Sequence, residues 1–180
     1  MQTKNFNTHT TARRIAVTSF IAAVYVVLTV ALPIPQYSAI QFRFAEVMNL
    51  LVFFNPIFAP GIILGVFIAN MFSPYLLLDM IFGTSATMLV LFCIARSPGL
   101  FKNEKASLFV AALMPVVFNA PIISIMILLV IGGPFTLAPF IAYMAWVGVG
   151  QFVVMVVVAF PLFVFLQKNN QGFIRVVKAL

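Results

Sequence analysis

Long apolar stretches separated by short polar segments make up most of this sequence. The apolar stretches cover residues 15–32, 42–72, 76–95, 108–131 and 135–166. A helix needs about 20 apolar residues to cross a bilayer, so every stretch except 42–72 predicts one membrane-spanning helix.

The stretch 42–72 is interrupted by the segment Asn55-Pro-Ile-Phe-Ala-Pro-Gly61. Its two prolines remove helical hydrogen bonds, and its glycine suits a turn. The pattern alone is compatible with one kinked helix or with two short ones.

The distribution of basic residues favours two short helices. Nine of the ten Lys and Arg residues form three clusters: Lys4, Arg13 and Arg14; Arg96, Lys102 and Lys105; Lys168, Arg175 and Lys178. Basic residues accumulate on cytoplasmic connections, and only an even number of helices places all three clusters on one side. Five helices would export the second and third clusters.

We therefore predict an all-α integral membrane protein, a six-transmembrane-helix bundle with both the N and the C terminus cytoplasmic. Residues 1–180 form a single membrane domain, with short outer connections at 33–41, 73–75 and 132–134. The predicted helices are 12–32, 41–55, 56–72, 76–95, 107–131 and 135–166.

Composition supports a membrane location. Hydrophobic residues make up 64% of the 180 residues, and the mean hydropathy is +1.18, which exceeds what a soluble domain of this length can bury. The net charge of +7 could indicate nucleic acid, but the basic residues are scattered rather than gathered on one face. We expect a multi-pass protein of the bacterial cell membrane, surrounded by lipid, with no nucleic-acid partner.

Motifs for chemistry are missing from the sequence. No glycine precedes a lysine, so the ATP-binding loop G-x-x-x-x-G-K-[ST] is absent, and any ATP-driven work would need another subunit. The only histidine, His9, lies in a polar tail, and the only cysteine, Cys93, lies in an apolar stretch. We expect no metal, no cofactor and no enzyme activity.

Only three ionisable residues lie well inside the predicted membrane part: Arg43, Glu46 and Asp79. Such groups are costly in lipid and normally pair inside the bundle. Arg43, Glu46 and Asn49 recur at a spacing of three, which places them on one face of a helix. Asp79 and Asn70 belong to the outer ends of neighbouring helices.

These residues could form a purely structural cluster in which Arg43 pairs with Glu46 or with Asp79. One arginine against two carboxylates, however, leaves a negative charge unless one carboxyl group is protonated. A cationic ligand would supply the missing charge.

Further polar and aromatic residues lie deeper in the last two helices: Asn119, Tyr143, Trp146 and Gln151. The two aromatic side chains could serve packing alone, but amides near the bilayer centre need partners. Amides, carboxylates and aromatic rings together suit a flat heteroaromatic ligand.

The first helix carries a stripe of small residues. They recur at spacings of four, three and four: Ala12, Ala16, Ser19 and Ala23. A small stripe allows close approach of another helix, either within the bundle or from a partner subunit. Its start beside Arg13 and Arg14 favours a partner that reaches it from the cytoplasmic side.

Four segments resemble a known family. They are Gln41-Phe-Arg-Phe-Ala-Glu46, Gly61-Ile-Ile-Leu-Gly65, Ile68-Ala-Asn70 and Asp79-Met-Ile-Phe-Gly-Thr-Ser-Ala-Thr87. Together with six short helices and no ATPase motif, they are similar to the substrate-binding (S) component of energy-coupling factor (ECF) transporters, in the queuosine-precursor transporter (QueT) family.

The resemblance implies a subunit that captures a 7-deazaguanine, either 7-aminomethyl-7-deazaguanine or queuine, from outside the cell. The first-helix stripe would then dock on a transmembrane coupling subunit (EcfT) that is driven by two cytoplasmic ATPases, which use the ATP. Glu46 and Asp79 would recognise the ligand's ammonium group or N–H edge, and Arg43 would hold one carboxylate. The amides that would read the ligand's edges are Asn49, Asn70, Asn119 and Gln151.

Three other functions stay open at this point. The chain could be an S component for another cationic heterocycle such as thiamine, or a solitary carrier without ATPase partners. It could also be a membrane enzyme with Glu46 or Asp79 as acid or base, although two carboxylates without a metal or a nucleophile support little chemistry.

Overall fold

The computed structural model describes residues 8–31, 42–132 and 135–180. Within these ranges the chain forms seven helical elements and no strand. In chain order they are α1 (Thr8–Val30), α2 (Phe44–Phe54), α3 (Pro56–Asn70), α4 (Leu76–Arg96), α5 (Glu104–Ile131), α6 (Leu137–Asn169) and α7 (Gln171–Ala179).

Four helices in the described part of the chain are long and apolar enough to cross a membrane: Thr11–Val30 within α1, and all of α4, α5 and α6. The helices α2 and α3 are apolar but shorter, with between 10 and 17 residues each. The prediction of an all-helical membrane bundle is confirmed.

The segment after α2 separates two short helices. Asn55 adopts an extended backbone, with φ −155° and ψ 115°, and its side-chain oxygen accepts a hydrogen bond of 3.1 Å from the Ile57 N–H. Pro56 occupies the first position of α3, where the missing N–H costs no helical hydrogen bond. The cap and the proline explain why the chain turns here instead of continuing as one kinked helix.

The helices α1 and α3 pack closely because α3 presents glycines. A Cβ atom on Gly61 would lie 2.8 Å from both Ile21 Cβ and the Thr18 carbonyl oxygen, and one on Gly65 would lie 2.7 Å from Tyr25 Cβ. The G-x-x-x-G spacing places both glycines on one face, so two backbones can approach without side chains between them.

Four helices depart from regular α geometry. Residues Phe44–Leu50 of α2 and Pro56–Phe58 of α3 form 3-10 helices, whereas Asp79–Gly83 of α4 and Val153–Ala159 of α6 form π-helical turns. Such turns change which side chains face the interior, and π turns are frequent near functional sites.

Of the predicted outer connections, 73–75 is seen as the turn between α3 and α4. The connection 33–41 and residues 133–134 lie outside the described residues. Gly132 ends α5 in a left-handed conformation, with φ 68°, which a glycine adopts without steric cost.

Candidate functional site

A cluster of polar side chains is buried at the end of the bundle where α3 meets α4. All of its members are at most 4% exposed. We call it the polar cluster, and it consists of Arg43, Glu46, Asn49, Asn70, Asp79, Asn119 and Gln151. These are seven of the nine residues that the sequence assigned to a ligand site, and five helical segments bring them together.

The 3-10 geometry of α2 sets the direction of its polar residues. A 3-10 helix has three residues per turn, so side chains three positions apart lie one above the other. Glu46 and Asn49 therefore face the same side, and Arg43 directly precedes the first residue of this helix. The helical spacing of three thus holds for Glu46 and Asn49, whereas Arg43, with ψ 83°, lies just outside the helix.

Asp79 is the centre of the first half of the cluster. Its Oδ1 lies 3.5 Å from Arg43 Nη2, and its Oδ2 accepts a hydrogen bond from the Ser73 hydroxyl. The Asn70 amide donates a hydrogen bond of 2.8 Å to the Asp79 backbone carbonyl. Arg43, Asn70 and Ser73 thus hold Asp79, the first residue of the π-helical turn, in place.

Gly83 makes this arrangement sterically possible. A Cβ atom at this position would lie 2.7 Å from the Asn70 side-chain nitrogen and 3.5 Å from Arg43 Nη1. Any larger residue would displace the amide that binds Asp79.

Glu46 is the centre of the second half. Its Oε2 accepts a hydrogen bond of 3.2 Å from Asn119 Nδ2, and its Oε1 accepts one of 3.2 Å from Gln151 Nε2. These partners are 73 and 105 residues away in the sequence. One carboxylate therefore joins α2 to α5 and α6.

Several acceptor atoms of the cluster are left without a hydrogen bond among the described residues. They are fully buried and comprise Asn49 Oδ1, Asn119 Oδ1 and Gln151 Oε1, together with the hydroxyl oxygen of neighbouring Thr84. A buried acceptor without a donor costs free energy. The arrangement is suited to a ligand that presents hydrogen-bond donors.

The two aromatic residues that the sequence assigned to the site differ from the amides in burial. Trp146 is 51% exposed, so most of its side chain lies outside the bundle, and Tyr143 is half-buried. The structure does not bring Trp146 into the polar cluster, and we leave it out of the proposed ligand contacts.

The small-residue stripe of α1 faces away from the bundle. Ala12, Ala16, Ser19 and Ala23 are all exposed, whereas the face of α1 that packs on α3 carries Thr18 and Ile21. These four residues therefore do not pack inside the bundle, which was the alternative that their spacing had left open.

Three neighbours of the cluster were missed by the sequence reasoning: Ser73, Gly83 and Thr84. Ser73 lies in a predicted connection, where serine is common for turn formation alone. Gly83 and Thr84 lie inside the segment Asp79-Met-Ile-Phe-Gly-Thr84, which the resemblance had already marked. For Gly83 and Thr84, their position in that segment was the only signal in the sequence that pointed to the site.

Two cavities lie at the other end of the bundle. One of about 410 Å³ is lined by residues that include Arg13, Asn55 and Pro60, and one of about 640 Å³ by residues that include Lys105, Lys168 and Arg175. The polar side chains that line these cavities are mostly exposed to solvent. We place the site at the polar cluster because, within the described part of the chain, buried acceptors without donors occur only there.

A family model described as QueT transporter matches residues 15–168, which include the whole polar cluster. No curated protein and no solved structure matches the chain.

Proposed function

The chain belongs to the QueT transporter family, and on that premise we propose that it is the substrate-binding (S) component of an ECF transporter. The family and the four helices of spanning length make it a multi-pass transporter of the cell membrane. Its proposed cargo is a queuosine precursor, 7-aminomethyl-7-deazaguanine or queuine, bound at the polar cluster.

Contacts between distant parts of the chain support a six-span topology. Arg13 Nη2 donates a hydrogen bond of 2.5 Å to the Ala179 carbonyl, and Asn55 Nδ2 donates one of 3.1 Å to the Val177 carbonyl. Lys178 Nζ lies 3.4 Å from Glu104 Oε1. The start of α1, the α2–α3 turn, the start of α5 and the C terminus therefore meet at one end of the bundle.

This gathering supports a path in which α2 runs from the polar cluster to the shared end and α3 runs back again, as two short crossings would. The shared end carries exposed basic residues, and such residues accumulate in the cytoplasm. We accordingly assign it to the cytoplasm with both termini, and the polar cluster to the outer half of the membrane.

The observation that carries the proposed cargo is the set of buried acceptors in the polar cluster. One arginine against the two carboxylates of Glu46 and Asp79 also leaves a net negative charge, which a cationic ligand would neutralise. Both queuosine precursors carry an amine that is protonated at neutral pH and a guanine-type edge with N–H donors. Charge-assisted hydrogen bonds to a carboxylate are among the strongest in a dry pocket.

The exposed α1 stripe supports the proposed docking. A coupling subunit, EcfT, would lie against Ala12, Ala16, Ser19 and Ala23 and carry two ATPases that use ATP. Side chains this small let a partner helix approach closely.

Calorimetric titration of the purified chain tests the cargo. We expect tight binding of 7-aminomethyl-7-deazaguanine or queuine, and no binding of guanine or thiamine. Asp79→Asn should weaken that binding by about 10- to 100-fold through the loss of a charge-assisted hydrogen bond. Glu104→Gln, which neutralises an exposed carboxylate at the other end, should leave it unchanged.

Other outcomes of this titration have definite meanings. Binding of thiamine alone would keep the S-component assignment and overturn the cargo. Failure of all four compounds to bind a folded chain would overturn the proposed cargo altogether.

Copurification with the coupling subunit and its ATPases tests the docking face. Ala16→Leu should abolish copurification and leave ligand affinity unchanged. Ala145→Leu, at an exposed alanine of α6, is the matched control and should copurify normally. Uptake into liposomes by the chain alone would instead favour a solitary carrier.

A further inference from the structure

The two amides at Glu46 are oriented by the chemistry of their shared partner. A carboxylate accepts hydrogen bonds and donates none, whereas a primary amide has an accepting oxygen and a donating nitrogen. In the structure Asn119 and Gln151 turn their NH₂ groups toward Glu46, with distances of 3.2 Å from Nδ2 and Nε2 to the two carboxylate oxygens.

The same orientation decides where the amide oxygens go. The oxygen of each amide points away from its NH₂ group, so Asn119 Oδ1 and Gln151 Oε1 are turned away from the carboxylate. Both side chains are at least 96% buried, and both oxygens lack a hydrogen-bond partner among the described residues. The two unused acceptors come from different helices, α5 and α6, and one carboxylate orients both.

We propose that Glu46 is a positioning residue, which holds the Asn119 and Gln151 amides so that their carbonyl oxygens select a ligand edge carrying neighbouring N–H donors. The matching chemical class is a heterocycle with a ring N–H beside an exocyclic amine. The identity of the probe rests on the proposed function, but the orientation of the amides does not. This role differs from the direct ligand recognition by Glu46 that the sequence suggested.

The isosteric substitution Glu46→Gln separates this role from a merely structural one. A glutamine at this position has one acceptor and one donor, so it satisfies the NH₂ group of only one neighbouring amide. The other amide must turn its oxygen toward Gln and its NH₂ group toward the ligand. The site would lose one acceptor and gain one donor, and its selectivity would change along with its affinity.

The first experiment compares two ligands on two proteins. The ligands are 7-aminomethyl-7-deazaguanine and its analogue without the 2-amino group, titrated calorimetrically. The intact protein should prefer the 2-amino compound by about 10-fold, the effect of one hydrogen bond to a buried group. In Glu46→Gln the preference should fall to about 2-fold or less.

Ser124→Ala is the matched control, because Ser124 is buried on the same helix as Asn119 but binds only the Ala120 carbonyl of its own helix. It should keep the 10-fold preference. If Glu46→Gln weakens both ligands equally and keeps the preference, the positioning role is overturned.

The second experiment needs no ligand. In protein labelled with ¹⁵N-glutamine, the side-chain NH₂ resonances of Gln151 are assigned by their loss in Gln151→Leu. A hydrogen bond to a carboxylate should move one of its protons downfield of those of exposed Gln171. Glu46→Leu, which removes the acceptors of both amides, should reverse that shift. A Gln151 pair that resembles Gln171 and ignores Glu46→Leu would overturn the inference, even if no deazaguanine binds and the proposed cargo fails.

Discussion

Two ion pairs at opposite ends of the bundle have nearly the same geometry and opposite surroundings. Arg43 and Asp79 lie 3.5 Å apart with side chains 5% and 1% exposed, whereas Lys178 and Glu104 lie 3.4 Å apart with side chains 51% and 57% exposed. If distance alone decided, the two pairs would contribute equally to stability. Their surroundings decide what each contributes.

An exposed pair gains little because water competes for both charges, and holding two long side chains costs entropy. A buried pair has already lost its hydration, so removing one partner leaves an uncompensated charge. The end with the polar cluster therefore retains charged groups at a cost in stability. At the end that carries Lys178 and Glu104 the charges stay in contact with water.

The largest effect should come from breaking the buried pair. Arg43→Leu leaves Asp79 buried beside Ser73 without its cation, and we expect the free energy of unfolding to fall by about 3–5 kcal/mol. Unfolding by SDS in mixed micelles measures it. Lys178→Leu is the matched change at the other end, and an equal loss from both variants would abolish the contrast between the two ends.

The contact between α1 and α3 runs along the bundle between the two ends and should be next in effect. Gly61→Ala places a methyl group 2.8 Å from the Thr18 backbone oxygen, and such overpacking costs about 1–3 kcal/mol. Gly148→Ala is the control, because its Cβ would meet Ala120 Cβ at an ordinary 3.7 Å. The same SDS titration compares them, and equal stability of the two variants would argue against close backbone packing.

A smaller effect is expected at the start of α5. The Asn103 side chain accepts a hydrogen bond of 3.0 Å from the Lys105 N–H and caps the helix. Asn103→Ala should lower the free energy of unfolding by about 1 kcal/mol, whereas Asn103→Ser should retain most of it. A serine variant as unstable as the alanine variant would show that capping is not the cause.

The smallest effect should come from the exposed pair. Lys178→Ala should cost less than about 1 kcal/mol, and the cost should shrink at high salt because exposed charges are screened. Unfolding at low and high salt measures both. A salt-independent loss would mean that the contact of Lys178 with the Phe54 ring matters more than its charge.

The sequence predicted most of the fold because lipid imposes strong constraints on it. The predicted helices 56–72, 76–95 and 107–131 differ by only a few residues from α3, α4 and α5. The prolines of the segment Asn55 to Gly61 marked the interruption, since a proline acts locally, and the charge pattern then favoured two short helices over one kinked helix. The 3-10 and π segments were not predicted, because they arise from packing among helices.

The site could be predicted only as a set of residues. Burial of Arg43, Glu46 and Asp79 followed from the cost of charge in lipid, but Trp146 shows that an aromatic residue in a spanning helix can face outward instead. Ser73 was missed because a serine in a turn has no distinctive pattern. Its role depends on a carboxylate six residues later that folds back onto it.

By itself the sequence determined that this is a membrane protein of helices and that a few polar residues must be buried together, and it predicted that nine of the ten basic residues lie on one side. Those conclusions depend on hydropathy and charge, which each residue carries wherever it lies. Only the tertiary structure decided that Arg43 pairs with Asp79, and that Glu46 instead receives two amides from α5 and α6. Partner choice requires distances and orientations between residues up to 105 positions apart, and those are set by how the helices pack.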